Sequence, residues 1–274
     1  MCVPALYRLP LLFAAAVYLT HPQFVVASDE PNLSKHQMKQ FLLTAEVVSH
    51  GHTSKGITSP WRLTLSDGML THDARFQTID QHKPEMKSST GYTEFNFVDS
   101  YKYDIAAYAL AELLGLDDML PVTVEREWRG NSGALSWWLP VKMDEVERHK
   151  QKLTAPDAEA WNHQMYKIRV FDQLVYDTDA NYTNVLIGPD WKIWRIDFTR
   201  AFRLYTFLED PKDLVRCDRQ LLAKLKALDA NELSDKTKHY LTKVEVKGVM
   251  ARRDKIVAYF QKLISEKGEA QVLY

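Results

Sequence analysis

Cysteine is almost missing from this chain of 274 residues: there are two, Cys2 and Cys217. Cys2 lies in an N-terminal leader, so the remaining chain carries Cys217 alone. It can close no internal disulfide and build no cysteine-ligated zinc site. The nine histidines contain no His-Glu-x-x-His or similar metal spacing. An excess of charge is missing too. Lys and Arg number 35 against 36 for Asp and Glu, a formal net charge of -1. That balance argues against nucleic acid as a partner, since binding phosphate backbones usually leaves a basic excess. No internal repeat or low-complexity block occurs, and the turn around Gly51 and Gly56 is not a G-x-G-x-x-G loop. What remains is ordinary globular composition, 46% hydrophobic and 26% charged, with length enough for one two-lobed domain.

Turn and period signals divide the chain. Residues 29–40 are polar and read as a lead-in. Phe41-Leu-Leu-Thr-Ala-Glu-Val-Val48, Arg62-Leu-Thr-Leu65 and Ala74-Arg-Phe-Gln-Thr-Ile79 read as three strands of a meander. Residues 80–98 are polar, contain Pro84 and Gly91, and read as a loop. Tyr103–Leu114 is rich in helix formers and is ended by Gly115. Pro121–Arg126 and Ala134–Leu139 read as two more strands across Gly130-Asn-Ser-Gly133. One of the adjacent Trp137 and Trp138 is core; the other, taken as Trp138, would face a purine, against the reading that both are core. Pro140-Val-Lys-Met143 reads as a hinge. Beyond a charged linker over 140–157 the chain turns helical, first with an apolar face at Trp161, Met165, Ile168, Phe171, Leu174 and Val175. Further amphipathic helices are expected at 218–228 and 249–265. Arg252-Arg253 reads as solvated helix surface.

The first long helix runs into Asp177-Thr-Asp-Ala-Asn-Tyr-Thr-Asn184. An apolar run, a Gly-Pro-Asp turn and a second run then deliver Asp197 in Arg-Ile-Asp-Phe-Thr-Arg-Ala-Phe202. Two short strands thus bring Asp179, Asn184 and Asp197 to one end. Phosphoryl transfer needs this set: a carboxylate for the attacking hydroxyl, and an amide and a carboxylate for magnesium. The competing reading is that Asp177, Asp179 and Asn181 are turn formers before a hairpin. Asp172 reads as a buried structural partner.

Taken in order, these segments resemble the atypical kinase superfamily of the HipA toxins, type II phosphatidylinositol 4-kinases and secretory-pathway kinases of the Golgi casein-kinase type. The resemblance covers about residues 41 to 228. It rests on Tyr103-Asp-Ile-Ala-Ala-Tyr, Val170-Phe-Asp-Gln-Leu-Val-Tyr-Asp-Thr-Asp179 and Arg195-Ile-Asp-Phe-Thr-Arg-Ala-Phe202. It implies an α+β, two-lobed protein-kinase-like fold, with a small β-rich lobe with one helix over 41–140 and a larger, mostly helical lobe over 141–274. It implies an ATP-dependent phosphotransferase using Mg2+ or Mn2+, with Asp179 as catalytic base and Asn184 and Asp197 as metal ligands. The acceptor, whether protein, lipid or small molecule, stays open. Asp104 matches the helix acid that pairs with a strand lysine. The chain has Gln77 where that lysine is expected, which opens the alternative of a pseudokinase acting as a nucleotide-binding or scaffolding module. Asp179 is followed by Ala180-Asn181 where the family often carries Arg-His, and Asp197 by Phe198-Thr199 where it often carries Asn-Gly. Arg200, a guanidinium near Asp197, is a candidate nucleotide-site residue to replace some of the missing charge, against the reading that it and Arg203 are solvated or paired. Lys83 and Lys87 are further candidates.

The first 28 residues differ from the rest. Arg8 is their only charge before the apolar stretch Leu9–Leu19, which His21-Pro-Gln breaks before it reaches the roughly 20 residues of a membrane span. Val25-Val-Ala27 offers small residues for cleavage. A signal peptide over 1–28 is expected, giving a secreted or periplasmic protein with no transmembrane span in the mature chain. N-terminal sequencing of protein from its native host should therefore begin near Ser28 or Asp29; recovery of Met1 or Leu6 in the stable product rules this out.

Overall fold

Ser34 starts the first described element. In the computed structural model residues 32–53, 60–87, 91 and 93–274 are described, and Asn32–Tyr274 form one compact unit. The expected signal peptide over 1–28 and Lys55-Gly56 lie outside the described residues. Ser34 and Gln37 close a reciprocal capping box that satisfies the free amides of a helix start. Helix α1, Lys35–Thr44, follows where a loose lead-in and a strand were expected. Its Phe41 and Leu42 are buried, Phe41 edge-on to Trp137. The Arg126 guanidinium donates to the carbonyls of Leu42 and Ala45 at 2.7 and 2.6 Å, closing the helix C-terminus, where carbonyls have no intrahelical partner.

The small lobe is a five-stranded antiparallel sheet. Its strands are β1 (Glu46–His52), β2 (Trp61–Ser66), β3 (Thr71–Gln77), β6 (Thr123–Trp128) and β7 (Asn131–Trp137), in the order β1-β2-β3-β7-β6. The polar stretch after β3 is no loop. It forms a separate two-stranded hairpin, β4 (Asp80–Lys87) with β5 (Thr93–Ser100). All eight residues of β4 are exposed, Lys83 and Lys87 among them, so the strand has no apolar alternation by which a sequence reading recognises one. Helix α2, Tyr101–Leu114, ends at Gly115 with φ 69°, the left-handed conformation glycine tolerates. The β6–β7 turn is Arg129-Gly130, both at positive φ, as a two-residue hairpin turn requires. Gly133, expected in the turn, lies in β7, where a Cβ would meet the Gln77 carbonyl at 2.5 Å.

The hinge leads to β8 (Met143–Asp144), and the linker contains helix α3, Glu145–Lys150, capped by Asp144. Helix α4, Ala158–Val175, buries Met165, Ile168, Phe171, Leu174 and Val175. It stops at Tyr176, which holds φ 50°. Strands β9 (Val185–Ile187) and β10 (Ile193–Arg195) pair around the Gly-Pro-Asp turn, with β8 on the outer edge of β9. Helices α5 (Arg219–Ala227), α6 (Ala230–Thr237), α7 (Lys243–Lys267) and α8 (Glu269–Val272) complete the larger lobe. No helix among the described residues is long and apolar enough to cross a membrane.

Arg252 of α7 overturns the reading of a solvated basic face. It is fully buried and donates to the carbonyls of Leu174 and Arg203 at 2.8 Å each, and to that of Tyr205. It thus ties the end of α4 to the segment after Asp197. Burial lowers its guanidinium pKa to about 10. Gly248 makes room: a Cβ there would stand 3.2 Å from Arg252 Nη1. Arg252→Ala should lower stability by more than about 2 kcal/mol, since each orphaned buried acceptor costs about 1–3 kcal/mol. A urea titration with an unchanged midpoint refutes this.

Candidate active site

The two loops that carry Asp179 and Asp197 are held together by one buried guanidinium. Arg195, the last residue of β10, is 1% exposed. Its Nε meets Asp172 of α4 at 3.1 Å, its Nη2 binds Asp177, and its Nη1 donates to the carbonyl of Ile196. A buried cation is tolerated only with such full pairing. Asp172 is therefore the structural partner expected of it. Burial, reinforced by the charge of Asp177 and opposed by Arg195, pushes its pKa up to about 6. Asp177 is raised as well, burial again leading.

From Asp177 the chain turns through the catalytic candidate. The Asp179 amide donates to Asp177 Oδ1 at 3.0 Å, and the Asp179 carbonyl accepts from Asn184 Nδ2 at 3.2 Å. Asp179 itself is exposed, whereas Asn184 is buried. The Ile196 amide donates to the Asn184 carbonyl at 3.0 Å, which brings Asp197 beside it. Asp197 holds φ 64°, a conformation an ordinary residue adopts at a cost and keeps at functional positions when its surroundings impose it.

A cavity of about 900 Å³ opens between the lobes, and Arg75, Asp104, Trp138, Asn184 and Asp197 all line it. Asp179 does not. Arg75 of β3 bridges two of these groups. Its Nη1 stands 3.3 Å from Asp104 Oδ2 and its Nη2 3.4 Å from Asp197 Oδ1. Burial works against the charge of Arg75, but Asp197 and Asp104 outweigh it and raise its pKa. Asp104 is pushed up to about 6 by burial, with Arg75 opposing and Asp197 adding like-charge repulsion. Its Oδ1 also accepts the Phe198 amide at 2.7 Å, tying helix α2 to the loop that carries Asp197.

Gln77 is therefore not the residue opposite Asp104. It lies two places along β3, on the same face by the pleat, but its Oε1 turns back to accept the amides of Thr78 and Ile79 at 3.0 and 3.2 Å. The cation that faces Asp104 is Arg75. Arg200 is likewise not at the cavity. It is ion-paired at 2.7 Å to Glu94 of β5 and lies over the Phe97 ring. Trp138 lines the cavity together with Trp137, and the Arg62 guanidinium lies 4.4 Å from the Trp138 ring. A reading of the chain missed Arg75, Glu94 and Arg195. Only Arg75 had a local signal, the even spacing from Gln77 that keeps it on the same face.

No family model matches the sequence, and no curated protein matches it. Solved structures do. A structure of hydra Fam20 with sugar superposes with a TM-score of 0.64 at 14% identity, over 87% of this chain and 91% of that one. The Golgi casein kinase gives 0.64 at 13%, over 87% and 78%. It also matches in a form with Mn/ADP bound, at 0.61. The chain has the atypical protein-kinase-like fold. The Helicobacter pylori proinflammatory kinase CtkA gives 0.51 at 11% identity, over 82% of this chain and 98% of that one. At these identities the likeness is one of fold.

The donors fit a hard divalent cation. Asn184 offers an amide oxygen and Asp197 a carboxylate, the oxygen ligands that Mg2+ and Mn2+ take. Among the described residues no group of three or more His, Cys, Asp or Glu is assembled for a metal. Phosphate oxygens and water would have to complete the shell, as is usual for magnesium at nucleotide sites.

The raised pKa of Asp172 has a consequence for stability. A carboxyl whose folded pKa exceeds its unfolded one contributes stability fully present below the unfolded value. That contribution is lost as pH rises through the folded value. The advantage of the wild type over Asp172→Asn should therefore shrink from pH 3.8 through about 6 and then level off. Thermal midpoints measured across that range check it; a difference independent of pH refutes it.

Proposed function

We propose that this chain is an exported, metal-dependent phosphotransferase of the kinase-like type that passes a phosphoryl group from ATP to a hydroxyl acceptor. One observation carries the reading: Arg75 bridges Asp104 and Asp197 inside an interlobe cavity that Asn184 also lines. Arg75 has the charge and the planar donor fork to hold phosphate oxygens, with Asp104 orienting it. Asp197 and Asn184 would hold the cation. When bound, Mg2+ or Mn2+ supplies charge neutralisation on the phosphates. Trp138 offers an aromatic wall for the base. Asp179, five residues before Asn184 and outside the cavity, would meet the acceptor hydroxyl, orient it and take its proton. The Golgi casein kinase form with Mn/ADP bound supports the choice of nucleotide and metal. The pseudokinase alternative rested on Gln77 at the lysine position; the cation at Arg75 weighs against it.

Thermal shift and turnover test the reading together. Asp179→Asn should cut phosphotransfer by about 10²–10⁴-fold and leave Mn–ADP binding nearly unchanged. Arg75→Ala should weaken nucleotide binding roughly 10- to 100-fold, the worth of a charged hydrogen bond. Gln77→Lys should not strengthen it. Nucleotide binding without turnover in the wild type would replace the enzyme by a pseudokinase. Absence of any Mn–ADP stabilisation would remove both.

A further inference from the structure

The hairpin β4–β5 pairs with no other strand among the described residues, and a lone two-stranded hairpin is marginal in water. Exposed along all of β4, it needs other anchors: Lys102 of α2 pairs with Asp80 at 2.8 Å, Val98 packs against the main core, and a further set lies on the segment after Asp197. Glu94 of β5 is buried and takes both Arg200, at 2.7 Å, and Arg203, at 2.6 Å. The two guanidiniums lie 5.1 and 5.7 Å from the Phe97 ring. Arg203 also donates to the Val98 carbonyl at 2.9 Å, and the Ser100 amide donates to the Thr199 carbonyl at 2.8 Å. Four residues of β5 thus grip residues 199–203, directly after the metal-ligand candidate.

We propose that Glu94 is the positioning residue of this clamp: through Arg200 and Arg203 it holds the Asp197 loop in its strained, metal-accepting conformation. The hairpin thereby becomes a built-in brace for the metal site. The proposal rests on the phosphotransferase reading only for the identity of the ligand. Coupling of this kind is reciprocal. If hairpin order favours cation binding at Asp197, then Mn–ADP favours hairpin order. Glu94 touches no reacting atom, so its effect falls on metal dependence and not on the proton transfer assigned to Asp179.

The test uses the full chain with Mn2+ and ADP as probes. Glu94→Gln keeps the shape but loses the charge that the buried Arg203 and the half-buried Arg200 pair with. Its Mn2+ requirement for ADP binding should rise about 10–100-fold, the usual effect of removing an outer partner of a metal ligand. Binding of ADP without metal should stay unchanged. Hydrogen exchange at the amides of 80–87 and 93–100 should slow on adding Mn–ADP to the wild type, and not in Glu94→Gln. Arg200→Gln, at a side chain 27% exposed, leaves Arg203 on Glu94 and should shift the Mn2+ requirement in the same direction by less. That covers the case in which Glu94→Gln fails to fold. Wild type that binds Mn–ADP, with both variants showing the same Mn2+ requirement and the same hairpin protection, overturns the clamp. Wild type that binds no Mn–ADP overturns the phosphotransferase reading instead, and then hairpin exchange unaffected by the variants overturns the clamp as a structural contact too.

Discussion

The site depends on one buried cation. Arg195 takes the carboxylates of Asp172 and Asp177 and the carbonyl of Ile196 while almost wholly out of water. Taking a guanidinium from water costs several kcal/mol, and only full pairing offsets it. The three partners therefore cannot drift independently. Asp172 belongs to the last turns of α4, Asp177 opens the loop that carries Asp179, and Ile196 precedes Asp197. A single group thus sets the distance between the two loops on which the proposed chemistry rests. Arg252 fixes the same region from the far side, donating to carbonyls at the end of α4 and beyond Asp197.

The cavity shows a second use of arginine. A lysine between two carboxylates would present a point charge. The Arg75 fork reaches Asp104 with one nitrogen and Asp197 with the other, so that a bidentate geometry joins the small-lobe helix to the metal loop. Both carboxylates line the cavity, and like-charge repulsion between them is relieved by the cation in between. A divalent ion at Asp197 would share that role, which connects the free geometry to the proposed one.

Much of the fold was legible in the chain because its signals are local. Gly115 stopping α2, the period of α4, the Gly-Pro-Asp turn and the closely spaced run from Asp179 to Asp197 depend on neighbours in sequence, and the structure holds them. The failures have a common physical origin. Helix α1 carries a capping box, Ser34 to Gln37, inside a stretch whose polarity hid it. Strand β4 is exposed along its whole length and is held to β5 by backbone bonds, so no alternation announced it. Arg252 looked like surface because charged residues usually are, and its burial depends on distant carbonyls that accept its hydrogen bonds.

The resemblance implied the two-lobed α+β fold, and spacing alone set Asp179, Asn184 and Asp197 around one short hairpin, because turns and amphipathic periods act over a few residues. Which cation faces Asp104 was decided only by the tertiary structure. Arg75 and Gln77 lie on the same face of β3, and nothing in the strand itself chooses between them. The choice falls to Arg75 because Asp104 and Asp197, 29 and 122 residues away, converge on its guanidinium, while Gln77 satisfies its own strand end. Charge pairing of that range is set by packing, and packing is written in no local pattern.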